Sequence, residues 1–230
     1  MNIIFFFKEI SIKFYQILII VLVLISCNDN PQKKFDKDLA DKLEQMVALD
    51  QLVASNAFPP KSYSHLTQHQ WEQFKDSIYK LNERQLQEIF KSKGFVGYDL
   101  AGKKGAENFW LLVQHSDHEP EFQKEVLKKM KLAIDKNNAN PNSYAFLVDR
   151  VNINTGKQQI YGTQVEYNTK IAQAYPLNLA DSINVNKRRR EIELEPLEVY
   201  LNEMTKIHFE MNKQQYKEMG VLKPELYIIE

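Results

Sequence analysis

The densest group of side chains able to do chemistry is the segment Gln114–His118. Here His115 is a candidate general acid or base, because imidazole titrates near neutral pH, and Asp117 is a candidate catalytic carboxylate that orients it. His115, Asp117 and His118 also offer ligands to a metal, but Pro120 predicts that the helix ends first, which separates the imidazoles. We therefore predict no metal site. The structural alternative is that His115 hydrogen-bonds the last carbonyls of its helix while Asp117 caps the next helix.

A second polar pair, Asp149-Arg150, ends a helical stretch just before the sequence pattern changes. An arginine fork donates two parallel hydrogen bonds to a carboxylate or phosphate, so Arg150 is a candidate ligand-binding residue. Asp149 is a candidate catalytic carboxylate. The alternative is an internal salt bridge that ties the helix to the segment after it.

A third group lies between Gln158 and Gln164, where amide and hydroxyl side chains surround an aromatic residue. Alternation along a strand places Tyr161 and Thr163 on one face and Gln164 on the other. Gly162 inside a strand indicates a bulge, or a close approach by a ligand or another backbone. These candidate ligand-binding groups suit recognition of a sugar or peptide. They suit equally a hairpin that satisfies its own hydrogen bonds.

A basic run, Lys187–Arg190, lies beside several glutamates. The simpler interpretation is a solvated helix face whose cations pair with those glutamates. The alternative is an anion clamp, which makes Arg189 a candidate ligand-binding residue.

Apolar residues at helical spacing predict that helices position most of these groups. The pattern predicts helices over about 35–55, from 67, over 82–92, 103–115 and 120–136, from 140, and again over 182–192 and 196–219. β-Branched and aromatic residues around the turn Thr155-Gly156 predict a β-hairpin. The predicted fold class is mainly α: a single helical domain with one small β-hairpin around residues 151–167.

The N-terminus has the layout of a bacterial lipoprotein signal peptide. Two lysines precede a short apolar run, Ile17–Ile25, and the small residue Ser26 precedes Cys27. This run is too short to cross a membrane, which takes roughly 20 apolar residues. We predict a signal peptide over 1–26, a lipidated Cys27 with a tether to residue 35, a helical domain over 36–219 and a C-terminal tail over 220–230. The alternative is an uncleaved single-span anchor.

The overall composition limits the possible partners and compartments. The 230-residue chain has 30 basic and 30 acidic residues, which does not predict the basic face expected of a nucleic-acid-binding protein. Cys27 is the only cysteine, so the mature domain is expected to have no disulfide and no cysteine nucleophile. The expected location is the bacterial cell envelope, periplasmic or surface-exposed. The expected partners are the membrane, through lipid on Cys27, and an unidentified envelope ligand or protein; no cofactor is predicted.

The polar groups, in this order, resemble the bacterial domain of unknown function 6624. That family's pattern runs from Gly-Trp-Pro through Trp-x-Leu-x-Gln-His-Ala-Asp and Phe-Gln to Asp-Arg, Tyr-Gly-Thr-Gln and a late arginine. No single motif is specific, whereas the ordered set is. The similar region covers about 82–201, and its matching residues are Gly94, Gly102, Trp110, Leu112, Gln114, His115, Asp117, Pro120, Phe122, Gln123, Asp149, Arg150, Gly156, Gln159, Tyr161, Gly162, Thr163, Gln164, Arg189, Leu194, Pro196 and Leu197.

The chain departs from this pattern at a few positions. Phe95 and Val96 stand in place of Trp-Pro, Ser116 in place of alanine, and Glu193 where a glycine is usual. Without the proline, the pattern no longer predicts a rigid turn after Gly94. The resemblance implies no reaction, but it implies that the following residues belong to one site: His115, Asp117, Asp149, Arg150, Tyr161, Thr163, Gln164 and Arg189.

The function predicted from these observations is a lipid-anchored binding module with a polar pocket for a small anionic or hydroxylated ligand. Amide, hydroxyl and guanidinium groups outnumber nucleophiles in the set, which favours binding. One alternative is a hydrolase or lyase with His115 as general acid or base and Arg150 holding a substrate anion. The other alternative is a buried polar network that fixes the hairpin to the helices and does no chemistry.

Overall fold

α-Helices dominate residues 35–229, which are the residues that the computed structural model describes. The predicted signal peptide, Cys27 and the tether up to residue 34 lie outside these residues. The elements follow in chain order: α1 (Lys37–Ala54), α2 (Gln68–Lys93), α3 (Tyr98–Gln114), α4 (Pro120–Ile134), α5 (Pro141–Asn154), β1 (Val165–Asn168), β2 (Gln173–Pro176), α6 (Val185–Glu191), α7 (Leu197–Met211) and α8 (Lys213–Glu218), with short 3₁₀ turns at Lys61–Tyr63 and Ser182–Asn184. The predicted fold class, mainly α with one small hairpin, is confirmed.

Local signals in the sequence set the helix starts. At Thr67 the side chain accepts a hydrogen bond from the Gln70 N–H, and the Gln70 side chain accepts one from the Thr67 N–H, which forms a reciprocal capping box. Pro120 and Pro141 occupy the first turns of α4 and α5, where a missing N–H costs nothing. Gly94 ends α2 at a φ of 74°. The helices predicted from residue 67 and over 82–92 are one continuous helix, α2.

The first five helices share one apolar core. The main packing runs between α1 and α3, with α2 beside both and α4 against α5. Each helix contributes a stripe of apolar side chains to this core. Burying each large apolar side chain stabilises the fold by about 1.5–3 kcal/mol. The fully or almost fully buried members of this core include Leu43, Leu86, Phe109, Leu112, Val113, Val126 and Leu147.

The hairpin packs on the C-terminal helices and forms a second, smaller core. Strands β1 and β2 are antiparallel, and Val165 pairs with Pro176. Their inner side chains meet α6 and α7 around Ala174, Val185, Leu197 and Leu201. The Ala174 N–H also donates to the Thr205 hydroxyl of α7 at 2.8 Å.

The predicted position of the hairpin, 151–167, is wrong in detail. Residues 151–154 continue α5, since Val151 is buried in the helical core and that packing outweighs its β propensity. Residues 158–164 form a loop, which we call the anchored loop, and the hairpin begins only at Val165. Gly162 has a φ of 75°, and a Cβ there would lie 2.8 Å from Leu197 Cδ1, so this glycine allows a close approach to α7.

Among residues 35–229, none of the helices is both long and apolar enough to span a membrane.

Candidate functional site

His115 lies at the C-terminal end of α3, where its imidazole meets a buried carboxylate. Its Nδ1 is 2.7 Å from Asp50 Oδ2, and Asp50 on α1 is 0% exposed. A carboxylate accepts hydrogen bonds only, so Nδ1–H is the donor and the imidazole Nε2 carries the lone pair. Within residues 35–229, Nε2 has no hydrogen-bond partner, and the imidazole is 21% exposed. The contact with Asp50 therefore fixes the tautomer of the neutral His115 ring.

Asp50 was not among the residues predicted from sequence. Residues Leu39, Leu43, Met46 and Val53 form the buried stripe of α1, and Asp50 occupies a position in the same stripe. An acidic residue at a core position is the signal that could have identified it, because a buried charge requires a partner. Its second oxygen, Oδ1, is buried without a partner among the described residues.

Tyr79 of α2 forms the wall beside this pair. Its ring meets the His115 ring edge-on, with centroids 5.9 Å apart. Burial, followed by the negative charge of Asp50, raises the pKa of Tyr79 above its usual value, so the phenol keeps its proton at neutral pH. The hydroxyl has no hydrogen-bond partner within the described part of the chain.

Asp117 and Arg150 pair with each other across the turn between α3 and α4. Arg150 Nε donates to Asp117 Oδ1 at 2.8 Å, and Nη2 donates to Oδ2 at 2.6 Å. The Asn154 amide also donates to Oδ1, at 2.7 Å. The predicted orienting carboxylate for His115 is therefore occupied by Arg150, and Asp50 takes that place. The predicted anion-binding arginine is already neutralised, with only Nη1 left uncommitted among residues 35–229.

His118, in the same turn after α3, pairs with a carboxylate of α2. Its Nε2 is 3.3 Å from Asp76 Oδ1 on α2, and both side chains are about half exposed. Glu83, about two turns further along α2 from Asp76, is buried, and its burial raises the pKa of that carboxyl. Over residues 35–229, no cluster of three or more His, Cys, Asp or Glu side chains is placed to hold a metal ion.

The hydroxyl groups of Ser116 and Thr163, which are nucleophiles by residue type, are buried and hydrogen-bonded. Ser116 is 2% exposed, and its Oγ donates to the Leu112 carbonyl at 3.1 Å. Thr163 is 4% exposed, and its Oγ1 donates to Asp149 Oδ2 at 3.0 Å. Both hydroxyls are therefore unavailable as nucleophiles.

Asp149 turns away from Arg150 and binds the anchored loop. Its carboxylate, 0% exposed, accepts the N–H groups of Ile160 at 2.6 Å, Tyr161 at 3.0 Å and Thr163 at 2.9 Å, together with the Thr163 hydroxyl. Backbone donors of this kind stabilise a buried carboxylate without a metal or a salt bridge. Asp149 thus accepts the backbone N–H groups that would pair with a neighbouring strand if this loop were part of a sheet.

Arginines bind the carbonyl groups of the same loop. Arg189, 1% exposed, donates to the carbonyls of Tyr161 and Glu195, each at 2.6 Å, and its guanidinium lies 5.2 Å from the centre of the Tyr200 ring. Burial lowers the pKa of Arg189 and raises the pKa of Tyr200 to about 12. Arg188, which was not singled out from sequence, donates to the Ile160 carbonyl at 2.9 Å.

Two amides close the anchored loop at its ends. The Gln159 amide, fully buried, donates to the carbonyls of Gln164 and Leu177 and accepts the Gln164 N–H at 2.9 Å. The Tyr200 hydroxyl donates to the Thr163 carbonyl at 2.8 Å. The Gln164 amide donates to Thr163 Oγ1 at 3.2 Å, so its hydrogen bonds remain inside the loop.

The eight candidate residues therefore fall into two adjoining clusters. His115, Asp117 and Arg150 surround the turn after α3, together with Asp50 and Tyr79, and we call this the His115 cluster. The other cluster is the network that holds the anchored loop, and its candidate residues are Asp149, Tyr161, Thr163, Gln164 and Arg189. The consecutive residues Asp149 and Arg150 connect the two clusters through α5.

One comparison with known proteins identifies a relationship. The model of a family described as "Family of unknown function (DUF6624)" matches residues 37–209. The match covers most of the chain, and the chain belongs to this family. No curated protein and no solved structure matches it.

Proposed function

We propose that this chain, a member of the family of unknown function DUF6624, is a lipid-anchored envelope enzyme that uses His115 as a general acid or base. The single observation that carries the proposal is the 2.7 Å contact between Asp50 and His115 Nδ1. A buried carboxylate there fixes the tautomer and stabilises the imidazolium that forms when Nε2 takes a proton. The enzyme is a hydrolase or lyase whose reaction needs no nucleophilic side chain from the protein.

The charge around His115 favours a neutral substrate over an anionic one. Arg150 is paired with Asp117, and Asp50 adds a further negative charge that only a protonated His115 offsets. An incoming phosphate or carboxylate would meet no uncompensated cation among these residues. A neutral compound with hydroxyl or amide groups can instead use Arg150 Nη1 and the outer edge of Asp117.

The N-terminal end of α1 is remote from Asp50 and the His115 cluster. The chain enters the described residues at Phe35, and the Asp36 N–H donates to the Leu100 carbonyl at the start of α3. Asp50 follows Asp36 by about four helical turns, roughly 20 Å along α1.

The proposed activity is tested with the full-length protein in detergent on four chromogenic substrates: p-nitrophenyl acetate, an N-acyl p-nitroanilide, a p-nitrophenyl glycoside and p-nitrophenyl phosphate. We expect turnover of at least one neutral substrate, and a loss of roughly 10²–10⁴-fold in His115→Ala, which is the usual contribution of a general acid or base. If wild type is no faster than His115→Ala on all four, the enzyme proposal fails.

The proposed anchor has its own prediction. We expect the mature protein to begin at Cys27 and to carry acyl groups, because two or more chains hold a protein stably on a membrane. Cells fed a clickable palmitate analogue should label the wild type, and Cys27→Ser should stay unlabelled. An intact mass that begins at Met1 with a free thiol would refute the anchor and leave the chemistry of His115 untouched.

A binding module is the second candidate, favoured by the uncommitted Nη1 of Arg150 beside the 40%-exposed side chain of Asp117. The His115→Ala variant separates this candidate from catalysis, since it retains the Asp117–Arg150 pair. Envelope glycan fragments that raise the melting temperature of His115→Ala would support binding, through the stabilisation that any ligand of the folded state brings. Arg150→Gln is expected to abolish the shift.

A further inference from the structure

We infer that Tyr79 is the hydrogen-bond donor to the substrate's carbonyl oxygen, and that the substrate is therefore a neutral ester or amide. The inference rests on the proposed function of His115 and narrows it from hydrolase or lyase to hydrolysis of an acyl bond. It concerns a residue outside the matched family motifs and outside the set predicted from sequence.

The first support is the placement of the phenol. Tyr79 and His115 come from α2 and the end of α3, and their ring centroids are 5.9 Å apart. An interplanar angle of 73° puts the two rings edge to face, so the phenol does not stack over the imidazole and cover it. The two rings are therefore in contact, and each side chain is partly exposed.

The second support is the uncommitted hydroxyl. Tyr200 donates its hydroxyl to the Thr163 carbonyl and Tyr227 donates to the Ala174 carbonyl, whereas other half-buried tyrosines, among them Tyr98 and Tyr144, have no hydroxyl partner within the described residues. The Tyr79 hydroxyl has no such partner among residues 35–229. Tyr79 differs from Tyr98 and Tyr144 in that its ring contacts His115, and its hydroxyl oxygen is accessible to solvent, so a substrate oxygen can accept its hydrogen bond.

The third support is the charge state that the surroundings impose. The phenol stays protonated because burial and the Asp50 carboxylate both raise its pKa. A neutral O–H donor favours an oxygen that gains negative charge during the reaction, and such preorganised donors contribute much of the rate in acyl transfer. A phosphate monoester, already dianionic, would instead be repelled by Asp50 and Asp117.

The proposed step balances with water as the co-reactant. Water loses a proton to His115 Nε2 while its oxygen forms a bond to the acyl carbon. The carbonyl π electrons move to the oxygen, where the Tyr79 O–H holds the resulting oxyanion. When the carbonyl re-forms, the bond to the leaving group breaks, and His115 returns the proton to that group. The products are a carboxylic acid and an alcohol or amine.

The test measures p-nitrophenyl acetate hydrolysis by full-length wild type, Tyr79→Phe and a matched control, Tyr98→Phe. Tyr98 is a partly buried tyrosine at the start of α3, far along the bundle from His115. We expect Tyr79→Phe to lower kcat by about 10²-fold, as loss of an oxyanion donor does, with KM changed less than about twofold. Tyr98→Phe should match wild type, and the melting temperatures of all three should agree.

The outcomes distinguish the role of Tyr79 from that of His115. If p-nitrophenyl acetate is hydrolysed in a His115-dependent way and Tyr79→Phe equals wild type, the role of Tyr79 is refuted and that of His115 stands. If only the glycoside or the phosphate is turned over with dependence on His115, the acyl substrate class is refuted. If no substrate is turned over, both the inference and the proposed function fail.

Discussion

Asp149→Asn is expected to destabilise the domain by about 3 kcal/mol, the largest effect on folding that the polar residues should show. The carboxylate accepts three backbone N–H groups and one hydroxyl while fully buried. An asparagine of the same shape directs its own NH₂ at donors and leaves some of them unsatisfied, each at roughly 1–3 kcal/mol. Arg189 would also lose a nearby compensating charge.

Urea or thermal unfolding measures this loss, with Asp41→Asn as the matched control. Asp41 makes an exposed pair with Lys37, and such pairs contribute about 0–1 kcal/mol. Hydrogen exchange should show the amides of Ile160, Tyr161 and Thr163 losing protection first. A stability for Asp149→Asn within about 0.5 kcal/mol of the control would mean that the anchored loop is not held by this carboxylate.

Asp50→Asn is expected to lower kcat by roughly 10²–10⁴-fold on whichever substrate proves active. The substitution removes the charge that stabilises the imidazolium and allows the amide to donate to Nδ1, which would leave the proton on Nε2. The steric fit is unchanged, so KM should change little. Besides His115, Asp50 Oδ2 accepts only the neighbouring Gln51 amide, at 3.1 Å, within residues 35–229, and an asparagine oxygen can keep that hydrogen bond. A melting temperature near that of wild type is therefore expected, and it would show that the loss is catalytic.

Asp76→Asn is the matched control for this experiment. It alters the second histidine–carboxylate pair of the same turn, Asp76 with His118, which is about half exposed and does not touch His115. We expect kcat for Asp76→Asn to stay within about twofold of wild type. Equal losses in the two variants would show that the general charge of the turn matters and that Asp50 has no special role.

The helix starts and the apolar stripes of the helices were predictable from the sequence because both depend on residues close together in the chain. The capping box at Thr67 and the prolines at 120 and 141 act within one turn of the chain. The core positions of α1 follow from apolar spacing alone. The position of the hairpin was not predictable in this way, since residues 158–164 have strand-like composition but are held as a loop by Asp149 and Arg189.

The partners of the candidate residues were not predictable for a related reason. His115 stood out through its neighbours in sequence, which made Asp117 its expected carboxylate. The carboxylate that it contacts lies 65 residues away on α1, and only the packing of α1 against α3 brings the two together. The same applies to Tyr79, a residue on an amphipathic helix with no motif around it.

The most direct measurement is the protonation of the His115 ring in the full-length protein, by long-range ¹H–¹⁵N correlation at a pH where the ring is neutral. Its signals are assigned by their loss in His115→Gln. The structure predicts a proton on Nδ1 and an unprotonated Nε2, because Asp50 accepts from Nδ1. A proton found on Nε2, with Nδ1 unprotonated, would contradict the account of His115 as a base held ready by Asp50.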